Sequence, residues 1–121
     1  MSDDFLKAAT KEIQEELDAL QQILGGCNSD TDIFDNGKEI QKHLHKIKGL
    51  APMMDQKDVG EIAKITDAVV KHVIANGTLE ETFKNLEESN NVMRAIFCGQ
   101  YNEDINEYKG KIKKTFANVL K

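Results

Sequence analysis

Cysteine, proline and long apolar runs are all scarce in this 121-residue chain. The two cysteines, Cys27 and Cys98, form no Cys-x-x-Cys pair, which excludes a disulfide-stapled miniprotein and predicts two reduced thiols in a cytoplasmic protein. No apolar run is long enough to span a membrane, and the acidic start Met1–Asp4 predicts no signal peptide. The net charge of −5 disfavours nucleic-acid binding, because phosphate backbones repel an acidic surface.

Motifs of the common enzyme classes are also missing. The chain has no glycine-rich phosphate loop and no Gly-x-Ser-x-Gly nucleophile elbow. Its many carboxylates are scattered, which is typical of solvated helix faces. His43 and His45 cannot share a zinc ion, since residues two apart on a helix point ~200° apart. We therefore expect no metal centre, no cofactor and no catalysis by this chain unaided.

The overall composition is typical of one globular domain, which we predict to span residues 1–121. Hydrophobic residues make up 40% and charged residues 31% of the chain, inside the globular range. A chain of this length buries roughly two thirds of its unfolded surface, enough for a hydrophobic core. Apolar residues recur at spacings of three and four, and the single proline interrupts little, so the sequence predicts an all-α protein.

Five amphipathic stripes of apolar residues predict five helices. They are Phe5–Leu24 (ended by Gly25–Gly26), Ile33–Met54, Val59–Val73 (ended by Asn76–Gly77), Leu79–Phe97 and Ile105–Val119. Asn36-Gly37 lies inside the second stripe, so this helix is expected to become regular only after Gly37. Pro52 is expected to kink or end the second helix. Thr78 and Glu81 predict a capping box for the fourth, and Asn102 predicts a cap for the fifth. Short loops predict antiparallel neighbours in one bundle.

The second helix carries the segment with the most chemical information, residues 42–49. With Ile40 at the centre of the buried face and ~100° per residue, Leu44 and Ile47 fall within ~40° of that centre. His43 then lies near −60°, at the edge of the core, and is expected to be a packing residue. His45 lies near 140° and faces water. The exposed side around His45 also carries Lys38, Gln41, Lys42 and Gly49, which are the residues expected to contact a docking partner.

Two features set His45 apart from an ordinary surface histidine. Gly49 lies one turn later on the same face, although glycine costs ~1 kcal/mol in a helix interior, and such a glycine often admits a close approach. Residues 38–48 also hold four lysines and one glutamate, a local charge of +3. A basic island around an exposed imidazole suits a phosphoryl group on the ring and an acidic partner that delivers or removes it.

The string His45-Lys46-Ile47-Lys48-Gly49 resembles the His-x-x-Lys-Gly signature of histidine phosphotransfer (HPt) domains. The chain is most similar to the phosphotransfer domain of chemotaxis histidine kinases of the CheA type. The resemblance implies a four-helix core followed by a C-terminal helix. It also implies that His45 Nε2 accepts phosphate, that Lys48 stabilises the phosphoryl charge or orients the ring, and that Gly49 lets the partner dock.

The resemblance gives a third-helix carboxylate a role as well. CheA-type domains place a glutamate there to accept a hydrogen bond from the imidazole Nδ1, and an ungapped alignment puts Asp67 at that position. Such a contact would fix the tautomer and leave Nε2 as the nucleophile. Asp67 is one methylene shorter than glutamate, so a water-mediated contact is the alternative, and Lys64 stands where this branch often has a second histidine. Because Thr66 and Val69 are expected to face the core, Asp67 lies ~100° from Thr66. We therefore expect it at the rim of the groove between the second and third helices.

The resemblance implies a cytoplasmic, monomeric phosphocarrier in two-component signalling, with a role in chemotaxis. It would take a phosphoryl group from a kinase catalytic domain or a receiver aspartate and pass it to a response-regulator receiver domain. The alternative is a helical adaptor that binds a receiver or a kinase without being phosphorylated. Lys48 and Gly49 favour the phosphocarrier.

Overall fold

The computed structural model describes residues 2–120, and every regular element within them is helical. The elements are α1 (Asp3–Gly25), α2 (Asp30–Asp35), α3 (Gly37–Leu50), a 3-10 turn (Pro52–Met54), α4 (Lys57–Asn76), α5 (Thr82–Phe97) and α6 (Ile105–Thr115). The all-α prediction is confirmed. No helix of the described chain is long and apolar enough to cross a membrane. The predicted domain limits, Met1 and Lys121, lie outside the described residues.

The described residues form six α-helices rather than the predicted five, because the second apolar stripe is divided between α2 and α3. The division falls at Asn36-Gly37, after which the sequence predicted a regular helix. Asn36 ends α2 and precedes α3 with φ −106° and ψ 13°, and its side-chain amide donates to the Asp32 carbonyl at 2.8 Å. Gly37 then begins α3 in contact with α4. A Cβ at this position would lie 2.9 Å from Ile74 Cγ1, so the break in the stripe coincides with a close approach of two helices.

Four of the helices form a closed ring of contacts around one core. α1 contacts α3, α3 contacts α4, α4 contacts α5, and α5 contacts α1. The core between them consists of fully buried aliphatic and sulfur-containing side chains, among them Ile13, Leu17, Leu20, Ile40, Leu44, Ile47, Ile62, Leu86 and Met93. Burial of these stripes stabilises the helices, since ~25 cal/mol is gained for each Å² of apolar surface removed from water.

The end of α3 follows the prediction made from Pro52. The helix stops at Leu50, and Pro52 begins a 3-10 turn that closes on Asp55 in a left-handed conformation with φ 63°. Gly60 on α4 lies directly against this turn, where an added Cβ would be 3.0 Å from two ring atoms of Pro52. The proline and the glycine together bring the start of α4 close to the end of α3.

The predicted capping box of the fourth stripe is wrong. The helix, α5, begins at Thr82 rather than at Leu79, and Glu81 precedes it in a left-handed conformation with φ 76°. The free amides at its start are satisfied from a distance: the carboxylate of Asp30 accepts from Glu81 N at 3.0 Å and from Phe83 N at 2.8 Å. A tertiary contact from α2 therefore replaces the local cap.

The last helix differs from the prediction at both ends. Asp104, not Asn102, caps α6, and its side chain accepts from Asn106 N at 2.9 Å. The helix ends at Thr115, and the residues up to Val119 form turns. An ionised carboxylate one residue before the helix caps it better than an amide further away.

Both cysteines are free, with Cys27 buried and Cys98 exposed.

Candidate functional site

The face of α3 opposite the core carries the candidate site. Ile40, Leu44 and Ile47 are fully buried and fix the rotation of the helix about its axis. His45 is consequently exposed, as the helical phase predicted. Of the four predicted docking residues, Lys38, Lys42 and Gly49 are exposed. Gln41 is half-buried rather than exposed, because its amide donates a hydrogen bond to Asp67.

The imidazole of His45 is open to an incoming group. The other two histidines hydrogen-bond to protein side chains, His43 to Glu16 and His72 to Asn76, whereas within residues 2–120 no such bond engages His45. Next to it, a Cβ added to Gly49 would meet nothing within 4 Å. The ring nitrogens of His45 and the surface one turn beyond it are therefore accessible to a partner.

A buried carboxylate on α4 organises the residues that bracket His45. Asp67 is only 2% exposed. Its Oδ1 accepts from Gln41 Nε2 at 2.9 Å, and its Oδ2 accepts from Lys48 Nζ at 3.1 Å. Gln41 precedes His45 by four residues and Lys48 follows it by three, so both are its neighbours on the helix surface. Asp67 thus fixes the side chains on both sides of the imidazole.

The predicted hydrogen bond between Asp67 and His45 is not formed, and the predicted position of Asp67 at the rim of the groove is wrong. The side chain is buried between α3 and α4, and its oxygens are occupied by Gln41, Lys48 and, at 3.3 Å, Lys71. A carboxylate one methylene shorter than glutamate stays close to its own helix. It therefore meets the donors that reach down from α3 rather than the exposed ring.

The electrostatics of Asp67 follow from these contacts. Burial raises the pKa of its carboxyl, but hydrogen bonds from Gln41, Lys48 and Lys71 outweigh burial and hold the pKa below its usual value. The carboxylate is therefore ionised throughout the neutral range. It holds the ammonium groups of Lys48 and Lys71 at the same oxygen, Oδ2.

His43 belongs to a different contact, between α3 and α1. Its side chain is 13% exposed, and Nδ1 lies 2.5 Å from Glu16 Oε2. The other oxygen of Glu16 lies 3.4 Å from Lys46 Nζ. His43 is the packing residue that the helical phase predicted. Within residues 2–120, no group of three or more histidine, cysteine or acidic side chains is placed to hold a metal ion.

The basic island of α3 is less positive than the sequence suggests. Lys42 lies 3.6 Å from Glu39, Lys46 pairs with Glu16, and Lys48 pairs with Asp67. Lys38 makes no ion pair with the described residues. The positive charge of most of these lysines is therefore offset by a neighbouring carboxylate. Lys48 is the lysine that its ion pair holds one helical turn from His45.

Two residues of this surface were missed by the reasoning from sequence, Lys71 and Glu16. Lys71 follows Asp67 by four residues, a spacing at which opposite charges pair on a helix, and this signal is visible in the sequence. Glu16 lies within the first apolar stripe, between Ile13 and Leu17. A carboxylate on a core-facing stripe indicates a buried partner, although the sequence cannot say which one.

Comparisons with protein-family models, with curated proteins and with solved structures give no match for this chain. A function for it is therefore inferred from the geometry and chemistry of the site, together with the resemblance carried by residues 45–49.

Proposed function

We propose that this chain is a histidine phosphotransfer domain of the CheA-like type, with His45 as the phosphoryl acceptor. One observation carries the proposal: an exposed, unbonded imidazole in the middle of α3, bracketed by Gln41 and Lys48 that a buried Asp67 holds in place. Open space at Gly49 provides room for a partner beside the ring. This arrangement favours a role for His45 in group transfer over a purely structural role.

The reaction needs few groups from this chain. A neutral imidazole with its proton on Nδ1 attacks phosphorus through Nε2. The Nε2–P bond forms as the bond from phosphorus to the leaving oxygen breaks, and the leaving group is ADP or the carboxylate of a receiver aspartate. The proton stays on Nδ1, and the ammonium of Lys48 offsets the charge of the phosphoryl group. The donor's binding site lies on the partner, so the chain is no enzyme by itself.

The helix contacts support the architecture that this function implies. In the proposal, α1, α3, α4 and α5 form an antiparallel four-helix core, and α6 is the additional C-terminal helix. Contacts between α1 and α3 run in opposite directions along the two helices. Glu16 in α1 pairs with Lys46 late in α3, whereas Cys27 Sγ, just after α1, lies 3.8 Å from Asn36 Nδ2, just before α3. This is the order expected of antiparallel neighbours.

The proposed partners are a kinase catalytic domain that supplies the phosphoryl group and a response-regulator receiver domain that takes it. Both would approach the exposed face of α3 across Lys38, Lys42 and Gly49. We propose that the chain acts as a monomer in the cytoplasm. Exposed lysines on this face favour a partner with an acidic surface, because opposite charges steer the encounter.

The decisive experiment is phosphorylation with a matched histidine control. The wild-type chain is incubated with ATP and a CheA-type kinase catalytic domain, and separately with a phosphorylated receiver. We expect an acid-labile, base-stable phosphohistidine at residue 45. His45→Gln should abolish the label and leave the thermal unfolding curve unchanged, because the side chain is exposed. His72→Gln, a histidine on α4, should keep the label.

Two outcomes would contradict this proposal. Label that persists in His45→Gln would place the acceptor on another histidine. Receiver binding by a wild-type chain that no donor phosphorylates would favour the adaptor instead.

A further inference from the structure

Two lysines from different helices share one buried carboxylate. Lys48 Nζ on α3 lies 3.1 Å from Asp67 Oδ2, and Lys71 Nζ on α4 lies 3.3 Å from the same atom. The side chain of Asp67 is 2% exposed, that of Lys48 30% and that of Lys71 55%. Because one negative charge faces two positive charges, either lysine can leave without depriving the carboxylate of a cationic partner.

The lysine with a reason to leave is Lys48. A phosphoryl group on His45 brings roughly two negative charges to a side chain three residues away on the same helix face. This charge attracts the Lys48 ammonium more strongly than a single carboxylate does. The lysine stem is long and flexible, so its ammonium can turn from Asp67 toward the phosphoryl oxygens without movement of the backbone.

Departure of Lys48 would be unfavourable if it were the sole cation on Asp67. A buried carboxylate left with only the amide of Gln41 would be an uncompensated charge in a low-dielectric site. Lys71 removes this penalty, since it already lies on Asp67 Oδ2 and follows it by one helical turn. The pairing of Asp67 with Lys71 therefore frees Lys48 for the phosphoryl group.

We propose that Lys71 is a positioning residue: it retains the charge of Asp67 when Lys48 moves to the phosphoryl group on His45. This inference rests on the proposed function of His45. Lys71 touches neither the imidazole nor the phosphoryl group in this scheme and acts only through Lys48. Its loss should slow phosphorylation because Lys48 would then remain bound to Asp67.

The test uses phosphoramidate as a small donor, so that it does not depend on any protein partner. In this reaction the Nε2–P bond of His45 forms, the P–N bond of phosphoramidate breaks, and ammonia leaves. Rates of labelling at residue 45 are measured for the wild type, Lys48→Gln, Lys71→Gln and the double variant. Lys64→Gln is the matched control, since Lys64 is also an exposed lysine of α4 and makes no ion pair with the described residues.

The expected result is a non-additive pattern. Lys48→Gln and Lys71→Gln each slow labelling by about fivefold, and the double variant is no slower than Lys48→Gln. Lys71→Arg retains the wild-type rate, and Lys64→Gln stays within about twofold of it. The ¹⁵N resonance of the Lys48 ammonium should shift on phosphorylation in the wild type and remain in place in Lys71→Gln, a change that a merely structural role would not produce.

Several results would overturn the inference. A wild-type rate in Lys71→Gln would remove any role for Lys71, and an additive loss in the double variant would make it act independently of Lys48. Failure of the proposed function is distinguishable from both. In that case kinase and receiver leave His45 unlabelled, while phosphoramidate still reveals the coupling between the two lysines.

Discussion

Asp67 is the residue on which the geometry around His45 depends. Its carboxylate is buried on α4. Two of its three hydrogen-bonding partners, Gln41 and Lys48, come from α3, and the third, Lys71, comes from its own helix. These donors stand one turn before and one turn after His45. The candidate site is therefore built from two helices. One carries the candidate acceptor, and the neighbouring one carries the carboxylate that fixes the side chains flanking it.

Replacing Asp67 with asparagine should lower stability in a pH-dependent way. The folded-state pKa of Asp67 lies below its ordinary value of 3.8. The carboxylate therefore contributes stability that is present above pH 3.8 and is lost as pH falls through the lower folded pKa. We expect Asp67→Asn to cost about 1.5–3 kcal/mol at neutral pH, the usual range for hydrogen bonds to a charged group.

Urea denaturation of both proteins from pH 7 down to pH 2 measures this effect. The difference between wild type and Asp67→Asn should shrink below pH 3.8, because the wild type then loses the same charge. A difference that stays constant over the whole range would show that Asp67 contributes through packing alone.

At the scale of single helices, two glycines of α3 have opposite roles. Gly37 is buried, and a Cβ there would lie 2.9 Å from Ile74 Cγ1, whereas a Cβ on Gly49 would meet nothing within 4 Å. Gly49→Ala should therefore raise the free energy of unfolding by up to ~1 kcal/mol through helix propensity. Gly37→Ala should lower it by about 1–2 kcal/mol, because the new methyl group displaces Ile74.

Chemical denaturation of the two alanine variants compares these effects in one helix. A further variant, Gly49→Gln, should fold normally and slow transfer to a receiver, since a long side chain occupies the space beside His45. Transfer at the wild-type rate in Gly49→Gln would exclude a docking role for this glycine. Destabilisation by Gly49→Ala would show that the open space there is not available to a side chain.

The start of α5 offers a second test at this scale. Asp30 accepts hydrogen bonds from the amides of Glu81 and Phe83 across 51 and 53 residues of sequence. Asp30→Ala should therefore cost about 1–2 kcal/mol, as the loss of a helix cap does. Thr78→Ala, which removes the residue that the sequence motif favours as a cap, should change stability by less than about 0.5 kcal/mol. Thermal unfolding of both variants decides between the local and the distant cap, and a larger loss for Thr78→Ala would reverse the assignment.

These elements also show what the sequence could predict. Helical stripes and the rotation of α3 followed from periodicity, because burial of one face dictates both. The exposure of His45 followed from the same phase. The break between α2 and α3 falls at Asn36-Gly37, where the sequence itself carries a signal. The cap from Asp30 and the donors that reach Asp67 from α3, in contrast, depend on side chains distant in sequence. A single sequence holds no record of such pairings, so the local signals at Thr78 and Asn102 were misleading.

In the molecule as a whole, α4 joins two different surfaces. Toward α3 it presents Asp67 beneath the candidate acceptor. Toward α6 it presents Asp58 and Glu61, which both accept hydrogen bonds from the buried Lys109, with Nζ distances of 2.6 and 2.5 Å. Polar contacts on one side of α4 thus help to attach α6, in addition to its buried Ile112. The proposed chemistry occurs on the other side of α4.

The groups that attach α6 should make its packing sensitive to alkali. Burial raises the pKa of Tyr108 to about 12, and its hydroxyl lies 2.7 Å from Ser89 Oγ on α5. For Lys109, burial acts to lower the pKa, but the hydrogen bonds to Asp58 and Glu61 outweigh it and raise the pKa above 10.5. Both groups retain protons more strongly in the folded state. Their contributions are therefore present below the unfolded pKa values and are lost as pH rises through the folded ones.

We therefore predict that the folded protein loses stability between pH 10 and about 12, the interval between the ordinary and the folded pKa of Tyr108. Tyr108→Phe should be less stable than the wild type at neutral pH by about 1 kcal/mol, because Ser89 loses its partner. It should also lose less stability over the alkaline interval, since no phenol remains to ionise. Urea denaturation at pH 7, 10 and 11.5 measures both effects, and parallel declines in the two proteins would mean that Tyr108 ionisation plays no part. Labelling of His45 at neutral pH should be unchanged in Tyr108→Phe, because the phenol lies between α5 and α6 and the candidate acceptor lies on α3.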